Sequence, residues 1–448
     1  MDIFFERLQR VRAQLPPDGV MVIPAAPAAI RNRDTHYPYR AHSDLIYLTG
    51  VNEEELALVL TRDAVHVFAQ ERNPERERWV GRVRGHTFYL ERLGRVGECE
   101  TSVYLSSEFE KRLPDLLKGK KTLYYDFGLD TDLDRRIFKT LHELAMFSRR
   151  GIGAPQSVTR AAAILSECRL FKDDHDLANM RRAAAISAAA HNKAQDFISG
   201  ANKAGVSEFE VKALIEHEFM QAGADRLAYP SIVAAAGNAT VLHYEGTSGR
   251  AQAGEFILID AGCEFEGYAS DITRTTVTGG RDAATPLSRD LYDLVLAAQK
   301  AAIAATRAGN SIDTVHQAAV DILAAGLFEM GFFDNVPLRV KGGPSDPQKM
   351  TRVASLAEVK ELEYYNLFYM HRTSHYLGLD VHDVGDYYSD GKSRSLAPGM
   401  VITVEPGLYF PPEYDFVRGE ARGVGIRIED DVLVTANGNE VLTSACRS

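Results

Sequence analysis

Hydrophobic positions in the first third of the chain alternate between the two-residue period of strands and the 3.6-residue period of helices. Apolar runs predict strands at residues 20–24, 45–48, 56–60, 65–68 and 122–125, and amphipathic runs predict helices at residues 5–15, 107–117 and 132–146. The pattern stops in a stretch with Gly and Pro near residue 150. We therefore expect an α/β domain at residues 1–150, a mixed sheet with flanking helices, and a linker at 151–170.

Residues 171–448 are expected to form a second domain in which long helical periods precede further strands. Helices are predicted at residues 173–198, 207–223, 288–307 and 311–331, the last three beginning on the capping serines Ser207, Ser288 and Ser311. Strands are predicted at residues 379–381, 400–404 and 423–434, and an inserted loop with one helix at 340–365. This arrangement predicts an α+β domain.

The second domain is organised around a hairpin at residues 256–276. Its first strand is continuously apolar and ends on Asp260, and a turn that contains Gly267 returns the chain through Asp271 and Thr273, which share one face of the second strand. Two carboxylates can therefore meet across the hairpin. Because two anions beside an apolar sheet cost several kcal/mol unless a cation lies between them, the hairpin predicts a divalent ion.

Three further stretches place metal-ligand side chains at or near short apolar segments. The first contains three histidines within twelve residues: His371, His375 and His382. In the second, an apolar strand ends at Glu405, before a Pro-Gly pair that turns the chain away. In the third, alternation places Glu429 on the same face as Arg427, whereas Asp430 and Asp431 are expected to be only a charged strand exit.

Each of these residues alone has an ordinary structural explanation, and their combination is what favours a metal site. The four carboxylates match the charge of two divalent ions, and one imidazole completes the set. A ligand set of oxygens with a single nitrogen suits Mn²⁺ or a similar ion, whereas a structural zinc site would be rich in cysteine. A water molecule would bridge two ions about 3.5–4 Å apart, and the ions would lower the pKa of this water and polarise a carbonyl oxygen. This is the chemistry of amide hydrolysis.

Composition narrows the class of protein further. The chain has 448 residues, too many for one ordinary core, and its formal net charge of −11 opposes a nucleic-acid surface. Its four cysteines show no C-x-x-C spacing, which fits a reducing cytoplasm. The amino terminus lacks a signal-peptide pattern, and no apolar run reaches the roughly 18–20 residues that span a bilayer. A cytoplasmic protein without nucleic-acid or membrane partners is expected.

The ligand-type residues lie in motifs that resemble those of the pita-bread metallopeptidases. IDAGCEFEGYASDITRT, SHYLGLDVHDVG, VEPGLY and GVGIRIEDD follow the family's order, with VLHYEG around His243 in support. The resemblance covers most of the chain from about residue 168. Residues 36–60 resemble the amino-terminal domain of aminopeptidase P more than that of prolidase. The resemblance implies a pita-bread catalytic domain behind an amino-terminal domain that takes part in oligomerisation and the substrate entrance.

Position by position, the resemblance implies five metal ligands: Asp260, Asp271, His375, Glu405 and Glu429. Asp271 and Glu429 would bridge two ions, Asp260 would complete one, and His375 with Glu405 would complete the other. Glu405 would also act as general base toward a water that bridges the ions.

The resemblance also implies a substrate site lined by histidines. His243 and His382 would bind the region of the scissile carbonyl and stabilise the tetrahedral intermediate or move its proton, and His371 would contact the substrate. Tyr229 and Arg427 would orient the ligands.

The implied reaction is hydrolysis of the bond between an amino-terminal residue and a following proline. The implied cofactors are two divalent ions, Mn²⁺ first, with Zn²⁺ or Co²⁺ as alternatives. The partner would be a short peptide with proline in second position, and the assembly a homodimer or homotetramer. Three alternatives remain: an Xaa-Pro dipeptidase (prolidase), a non-catalytic pita-bread binding module, and a metal-free amidinohydrolase of the creatinase type. The complete ligand set disfavours the last two.

Two positions are left open. The family commonly has Gly after the first histidine of its block, but here Arg372 follows His371; its guanidinium could bind a substrate carboxylate, which would favour short peptides, or extend into solvent. Trp79, the only tryptophan, is either a rim residue at the entrance of a neighbouring subunit's site or a core residue of its own domain.

Overall fold

The computed structural model describes residues 3–93, 99–201, 204–340 and 345–448. The chain divides between Arg169 and Leu170 into two compact units, each with its own buried apolar clusters. Within the described residues, every helix is either too short or too polar to cross a lipid bilayer.

The amino-terminal unit is built on one mixed sheet with helices around it. Its helices are α1 Ile3–Gln14, α2 Ser43–Thr49, α3 Pro74–Val80, α4 Gly85–Leu93, α5 Phe109–Leu117, α6 Thr131–Met146 and α7 Ala162–Leu170. Its strands are β1 Gly19–Pro24, β2 Ile30–Asn32, β3 Thr35–His36, β4 Ala57–Thr61, β5 Ala64–Ala69, β6 Glu100–Leu105, β7 Thr122–Tyr124 and β8 Ser157–Thr159. Six of these strands form the sheet in the order β6-β5-β4-β1-β7-β8, in which β1 pairs antiparallel with β4 and parallel with β7.

Two segments of this unit differ from the sequence predictions. The run at 45–48, predicted as a strand, is the middle of helix α2, which ends where Gly50 adopts a left-handed conformation with φ of 65°. The prediction was wrong because a short apolar run that is buried on every side has no period that separates a helix from a strand. The segment 151–170, expected to be a linker, contains α7 and the edge strand β8.

Among the described residues, the carboxy-terminal unit contains five α-helices and many short strands. Its helices are α8 Asp174–Ser199, α9 Glu208–Gln221, α10 Pro286–Ala305, α11 Ile312–Glu329 and α12 Leu356–Glu361. Its strands up to residue 277 are β9 Val206–Ser207, β10 Arg226–Leu227, β11 Ile232–Ala235, β12 Arg250–Ala251, β13 Phe256–Asp260, β14 Cys263–Phe265, β15 Tyr268–Ala269 and β16 Thr273–Val277. The remaining strands are β17 Val336–Leu338, β18 Asp346–Thr351, β19 Tyr388–Ser389, β20 Lys392–Ser393, β21 Val401–Val404, β22 Gly407–Phe410, β23 Val424–Arg427, β24 Asp430–Thr435 and β25 Gly438–Val441.

Helix pairs cover the strands of this unit in two apolar clusters. One cluster joins α8 and α9 to β11 and β13, and the other joins α10 and α11 to β21 through β24. Helix α8 begins at a capping box in which the Asp173 carboxylate accepts from the backbone of His175 and Asp176. These apolar clusters hold the strand ends, where the ligand-type residues lie, in fixed positions.

The central hairpin brings distant strands together. Strand β13 pairs antiparallel with both β11 and β16, in a register that places Asp260 opposite Thr273. Strand β16 is joined to β23 through the Thr275 hydroxyl, which bonds the carbonyl and the N–H of Arg427 at 3.0 and 3.1 Å. The N–H of Glu429 donates to the carbonyl of Thr273 at 3.0 Å. Residues near 260 and near 429 therefore meet on one surface.

Four further predictions for this unit need correction. Residues 379–381 are not a strand; Tyr376 makes one isolated bridge to Ile402. The predicted strand at 423–434 is two strands, β23 and β24, which pair with different partners. Helix α10 is capped by Thr285, with Pro286 in its first turn, so Ser288 lies inside it. The described part of 340–365 contains β18 as well as the helix α12, and residues 341–344 lie outside the described residues.

Candidate metal centre

One cleft of the carboxy-terminal unit, about 1270 Å³ in volume, brings together every site residue that the sequence predicts. The residues are Tyr229, His243, Asp260, Asp271, His371, His375, His382, Glu405, Arg427 and Glu429. Strand ends position the four acids. Asp260 ends β13, Asp271 precedes β16, Glu405 follows β21 and Glu429 follows β23.

Three of the five predicted ligands lie close enough to share one ion. Asp271, His375 and Glu429 each offer a ligand atom, and these atoms all lie within 4.8 Å of one another. His375 Nε2 is 3.5 Å from Asp271 Oδ2 and 3.6 Å from Glu405 Oε1, so the fourth residue, Glu405, adjoins the same group. The other ring nitrogen of His375, Nδ1, hydrogen-bonds the Tyr376 carbonyl at 3.0 Å, which leaves Nε2 facing the acids.

The fifth predicted ligand, Asp260, is joined to the group through two side chains. Arg427 Nη2 donates to Asp260 Oδ2 at 2.6 Å, and the Tyr229 hydroxyl lies 2.7 Å from Asp260 Oδ1. The same hydroxyl also contacts Asp271 Oδ1. A phenol has one proton to donate, so the Tyr229 hydroxyl can donate to only one of these two carboxylates at a time.

Burial and like charge act together on this cluster. Burial, against the opposing charge of His375, raises the pKa of Glu405 to about 7. Burial and the Asp271 carboxylate raise the pKa of Glu429 well above its usual range. Burial disfavours the charged form of His375, but Asp271 and Glu405 outweigh it and raise the pKa of this imidazole to about 9. The acids are crowded together with too little positive charge from the chain.

The donor set fits divalent cations. Four carboxylates and one imidazole converge, and Arg427 is the one guanidinium among the cleft residues that contacts an acid of the set. Asp260, Asp271 and Glu429 are buried, so water does not compensate their charge. Oxygen-rich sets of this kind hold Mn²⁺ and similar ions, and neighbouring hydroxyl and guanidinium groups orient them.

The three predicted substrate-side histidines occupy different parts of the cleft wall. The ring of His382 packs edge-on against that of His375, with centroids 4.4 Å apart. His371 Nε2 lies 2.8 Å from the Tyr409 hydroxyl, and its Nδ1 is 3.7 Å from Glu405 Oε2. Burial and the Arg427 charge lower the pKa of His371 to about 3, so its imidazole is neutral. His243 is exposed to the cleft.

Several residues of the centre were missed. Tyr409 accepts from Arg427 Nη1 at 3.0 Å, and the Thr273 hydroxyl donates to Glu429 Oε2 at 2.6 Å. The expectation that Asp430 and Asp431 are only a charged strand exit was wrong, because both are buried at the start of β24. Asp431 Oδ2 accepts the backbone N–H of Asp271 at 3.2 Å. Strand alternation placed Thr273 beside Asp271, but no local signal indicates these other contacts.

Trp79, in helix α3 of the amino-terminal unit, is 89% exposed, which excludes the local core role. Helix α3 has no buried residue. The rim role of Trp79 stays a prediction.

A buried set of oxygen ligands at the floor of an open cleft is typical of a metal-dependent hydrolase. Residues 178–436 match the model of Metallopeptidase family M24, and residues 4–124 match that of the Aminopeptidase P N-terminal domain. The chain belongs to metallopeptidase family M24. This membership confirms the resemblance seen in the motifs and the fold class, and it implies divalent metal ions.

Relatives match the chain along nearly its whole length. It is 37% identical to the Xaa-Pro aminopeptidase of Escherichia coli over 99% of this chain and 94% of that protein. The structure of proline aminopeptidase P II from Yersinia pestis is similar with a TM-score of 0.88 and 37% identity, over 100% of this chain and 96% of the other. A zinc-substituted E. coli aminopeptidase P in complex with product is similar with a TM-score of 0.87 and 36% identity, over 100% and 95% of the two chains.

Proposed function

We propose that this protein is an Xaa-Pro aminopeptidase, a metallopeptidase that removes an amino-terminal residue when proline follows it. One observation carries the proposal: four acids and a histidine converge at the floor of a single open cleft, three of them with ligand atoms within 4.8 Å. The full-length similarity to Xaa-Pro aminopeptidases supports the substrate class.

We propose that Asp260, Asp271, His375, Glu405 and Glu429 hold two divalent ions, with Mn²⁺ favoured by the oxygen-rich set. When bound, such ions polarise the scissile carbonyl and make water a stronger acid. The contacts of Tyr229 and Arg427 support their role in orienting ligands, because both bond Asp260 and Arg427 also bonds Tyr409.

Glu405 is proposed as the general base that takes the proton of the attacking water. Its side chain faces the cleft beside His371 and His375, and burial raises its pKa to about 7, which supports a role as base near neutral pH. Thr403 Oγ1 lies 3.4 Å from Glu405 Oε1 and also bonds the N–H of His375 at 3.1 Å, which holds base and ligand in one arrangement.

The histidines of the wall are proposed to act on the substrate. His382 and His243 would donate to the oxyanion and move a proton to the departing proline nitrogen, and His371, neutral and fixed by Tyr409, would contact the substrate. Proline requires a dedicated site, because its nitrogen has no hydrogen to donate and its ring restricts φ. The apolar part of the wall offers such a surface with Ile232, Leu242 and Val381.

The substrate-length limit, the assembly and the location stay predictions. A homodimer or homotetramer, whose amino-terminal units contribute to oligomerisation and the substrate entrance, and a cytoplasmic location are what the sequence leads us to expect. Cutting after the first residue of a tripeptide or a longer peptide is the feature that separates an aminopeptidase from a prolidase.

The test combines metal analysis of the purified protein with hydrolysis of Xaa-Pro-Yaa and Xaa-Pro peptides before and after complete chelation. We expect release of Xaa from Xaa-Pro-Yaa, loss of activity on chelation and recovery with Mn²⁺. Activity that survives complete metal removal contradicts the proposed mechanism, and cleavage of the dipeptide alone replaces the aminopeptidase with a prolidase.

A further inference from the structure

Arg372 lines the catalytic cleft from the residue next to His371. Its side chain is 52% exposed, so its charge meets both the cleft and solvent. Lys212, on helix α9, is another cation of the cleft wall. Arg372 follows His371, whose Nδ1 lies 3.7 Å from Glu405 Oε2. Of Arg372 and Lys212, Arg372 is therefore the one attached directly to a segment of the metal centre.

Asp313 fixes the direction of this arginine. Asp313 lies in the first turn of helix α11, and its carboxylate accepts from the Arg372 guanidinium and from the Tyr388 hydroxyl at 3.1 Å. Burial alone would raise the pKa of Asp313, but its bonds to Arg372, Tyr388 and Ser393 outweigh burial and lower it. The carboxylate therefore stays charged and joins the His371 segment to the hairpin of β19 and β20.

The Arg372–Asp313 pair leaves donors for a ligand. A guanidinium has five N–H groups, and Asp313 is the one side chain, among the described residues, with which the Arg372 guanidinium is hydrogen-bonded. Asp313 also accepts hydrogen bonds from Tyr388 and Ser393, so its carboxylate oxygens are not occupied by Arg372 alone. Arg372 can therefore bind a second carboxylate with the geometry that guanidinium groups favour.

We propose that Arg372, held by Asp313, determines specificity by binding the terminal carboxylate of a short Xaa-Pro-Yaa peptide. This inference rests on the proposed function. The proline and the third residue extend about 7 Å beyond the cleaved bond, at roughly 3.5 Å per residue, so the terminal carboxylate lies away from the metal centre and toward the cleft wall. The acids of the metal centre repel a carboxylate, so the cation at the rim defines where that end of the peptide lies.

The test compares kcat/KM for Ala-Pro-Ala and for its carboxyl-terminal amide, at low and high salt. We expect the wild type to prefer the free acid by about fivefold, the upper end for a half-exposed ion pair, with the preference fading as salt shortens the screening length. Arg372→Gln should remove the preference through KM, with kcat on the amide unchanged. Arg372→Lys should restore part of it.

Lys212→Gln is the matched control, because it removes one positive charge from the same cleft. The preference should survive this change. Equal loss in both variants, or an unchanged preference in Arg372→Gln, overturns the proposal in favour of a general field or of no recognition. Unchanged thermal midpoints establish that each variant is folded. A wild type that cleaves both peptides equally overturns this inference alone, whereas one that cleaves neither overturns the proposed function and this inference with it.

Discussion

Two groups of buried acids in the carboxy-terminal unit differ in what faces them. In the first group each acid has a partner from the chain: Lys172 Nζ lies 2.8 Å from Asp383 Oδ2, and Arg274 Nη2 lies 2.8 Å from Asp430 Oδ1. Glu208 accepts four hydrogen bonds, from the backbone N–H groups of Ala235 and Gly249 and from the side chains of Asn238 and Tyr244.

The acids of the cleft instead face one another. Asp271, Glu405 and Glu429 surround His375, and of these four described acids it is Asp260 that the Arg427 guanidinium bonds. The pKa of Glu429 is raised by burial and by the other carboxylates. The charges of the first group are balanced within the chain, whereas we propose that those of the second are balanced by cations from outside it. Buried acids that converge on one imidazole without a facing guanidinium or ammonium group among the described residues are what distinguish the candidate ligand site from the paired acids.

Glu405→Gln should produce the largest effect. Glutamine keeps the size of the side chain and removes the base, so kcat for Xaa-Pro-Yaa should fall by about two to four orders of magnitude. The metal-free variant should be at least as stable as the wild type, because the change removes one negative charge from a crowded group. Stopped-time peptide assays and thermal unfolding of the chelated protein measure the two quantities.

Glu440→Gln serves as the control for that change, since Glu440 is 42% exposed and pairs with Arg181 away from the cleft. Its kcat should equal that of the wild type. If Glu405→Gln turns over at a near-normal rate with its metal bound, Glu405 is not the base.

Lys172→Met tests the first group. The side chains of Lys172 and Asp383 are only 2% and 1% exposed, so removal of the lysine breaks a buried ion pair. We expect a loss of about 3–5 kcal/mol in the free energy of unfolding, measured by denaturant titration. Lys172→Met combined with Asp383→Leu should recover much of this loss. If Lys172→Met alone lowers the free energy of unfolding by less than about 1 kcal/mol, the pair contributes no more than an exposed ion pair does.

The sequence predicted the cleft acids because each lies where a strand ends, and strand ends follow from the two-residue period and from turn residues. Asp260 and Glu405 each end a run of buried β-branched and apolar residues. Alternation along the returning strand then placed Thr273 on the same face as Asp271, and the motif resemblance selected His375 among three histidines.

The other contacts depend on pairing between distant segments, which no local period records. His375 is positioned without a strand of its own, because its N–H and carbonyl bond the side chain and the N–H of Thr403 at 3.1 and 2.9 Å. Asp430 resembles an exposed strand end in the sequence, yet Arg274, more than 150 residues earlier, buries it. The helix at 43–49 was missed for a related reason, since burial on every side removes the amphipathic pattern.

The pH dependence of the metal-free protein should sharpen the contrast. The folded-state pKa of Glu405 is about 7, above its usual 4.5, and that of His375 is about 9, above its usual 6.5. Both folded-state values are raised, so the folded protein holds more protons than the unfolded chain between pH 4.5 and 9. Stability is therefore greatest at the acidic end of this window and falls as pH rises through the two folded-state pKa values.

Metal ions should reverse this trend, because ligands bind them in the deprotonated form. Unfolding curves of chelated and Mn²⁺-loaded protein at pH 5, 7 and 8.5 measure both slopes. The Glu405→Gln variant should show a flatter slope without metal. Equal slopes with and without metal would contradict the assignment of these residues as ligands.

The smallest effect is expected at an ion pair that water can reach. Arg181 and Glu440 are 2.8 Å apart, the same separation as Lys172 and Asp383, but their side chains are 45% and 42% exposed. Water and salt screen this pair, so Arg181→Gln should cost less than about 1 kcal/mol, and less still in 1 M salt. Denaturant titrations of Arg181→Gln and Lys172→Met compare the loss of stability for two ion pairs with the same separation and different burial. If the two variants lose equal stability, burial does not make the Lys172–Asp383 pair stronger than an ion pair at the surface. The contrast between buried acids that are paired within the chain and the acids of the cleft would then lose its physical basis.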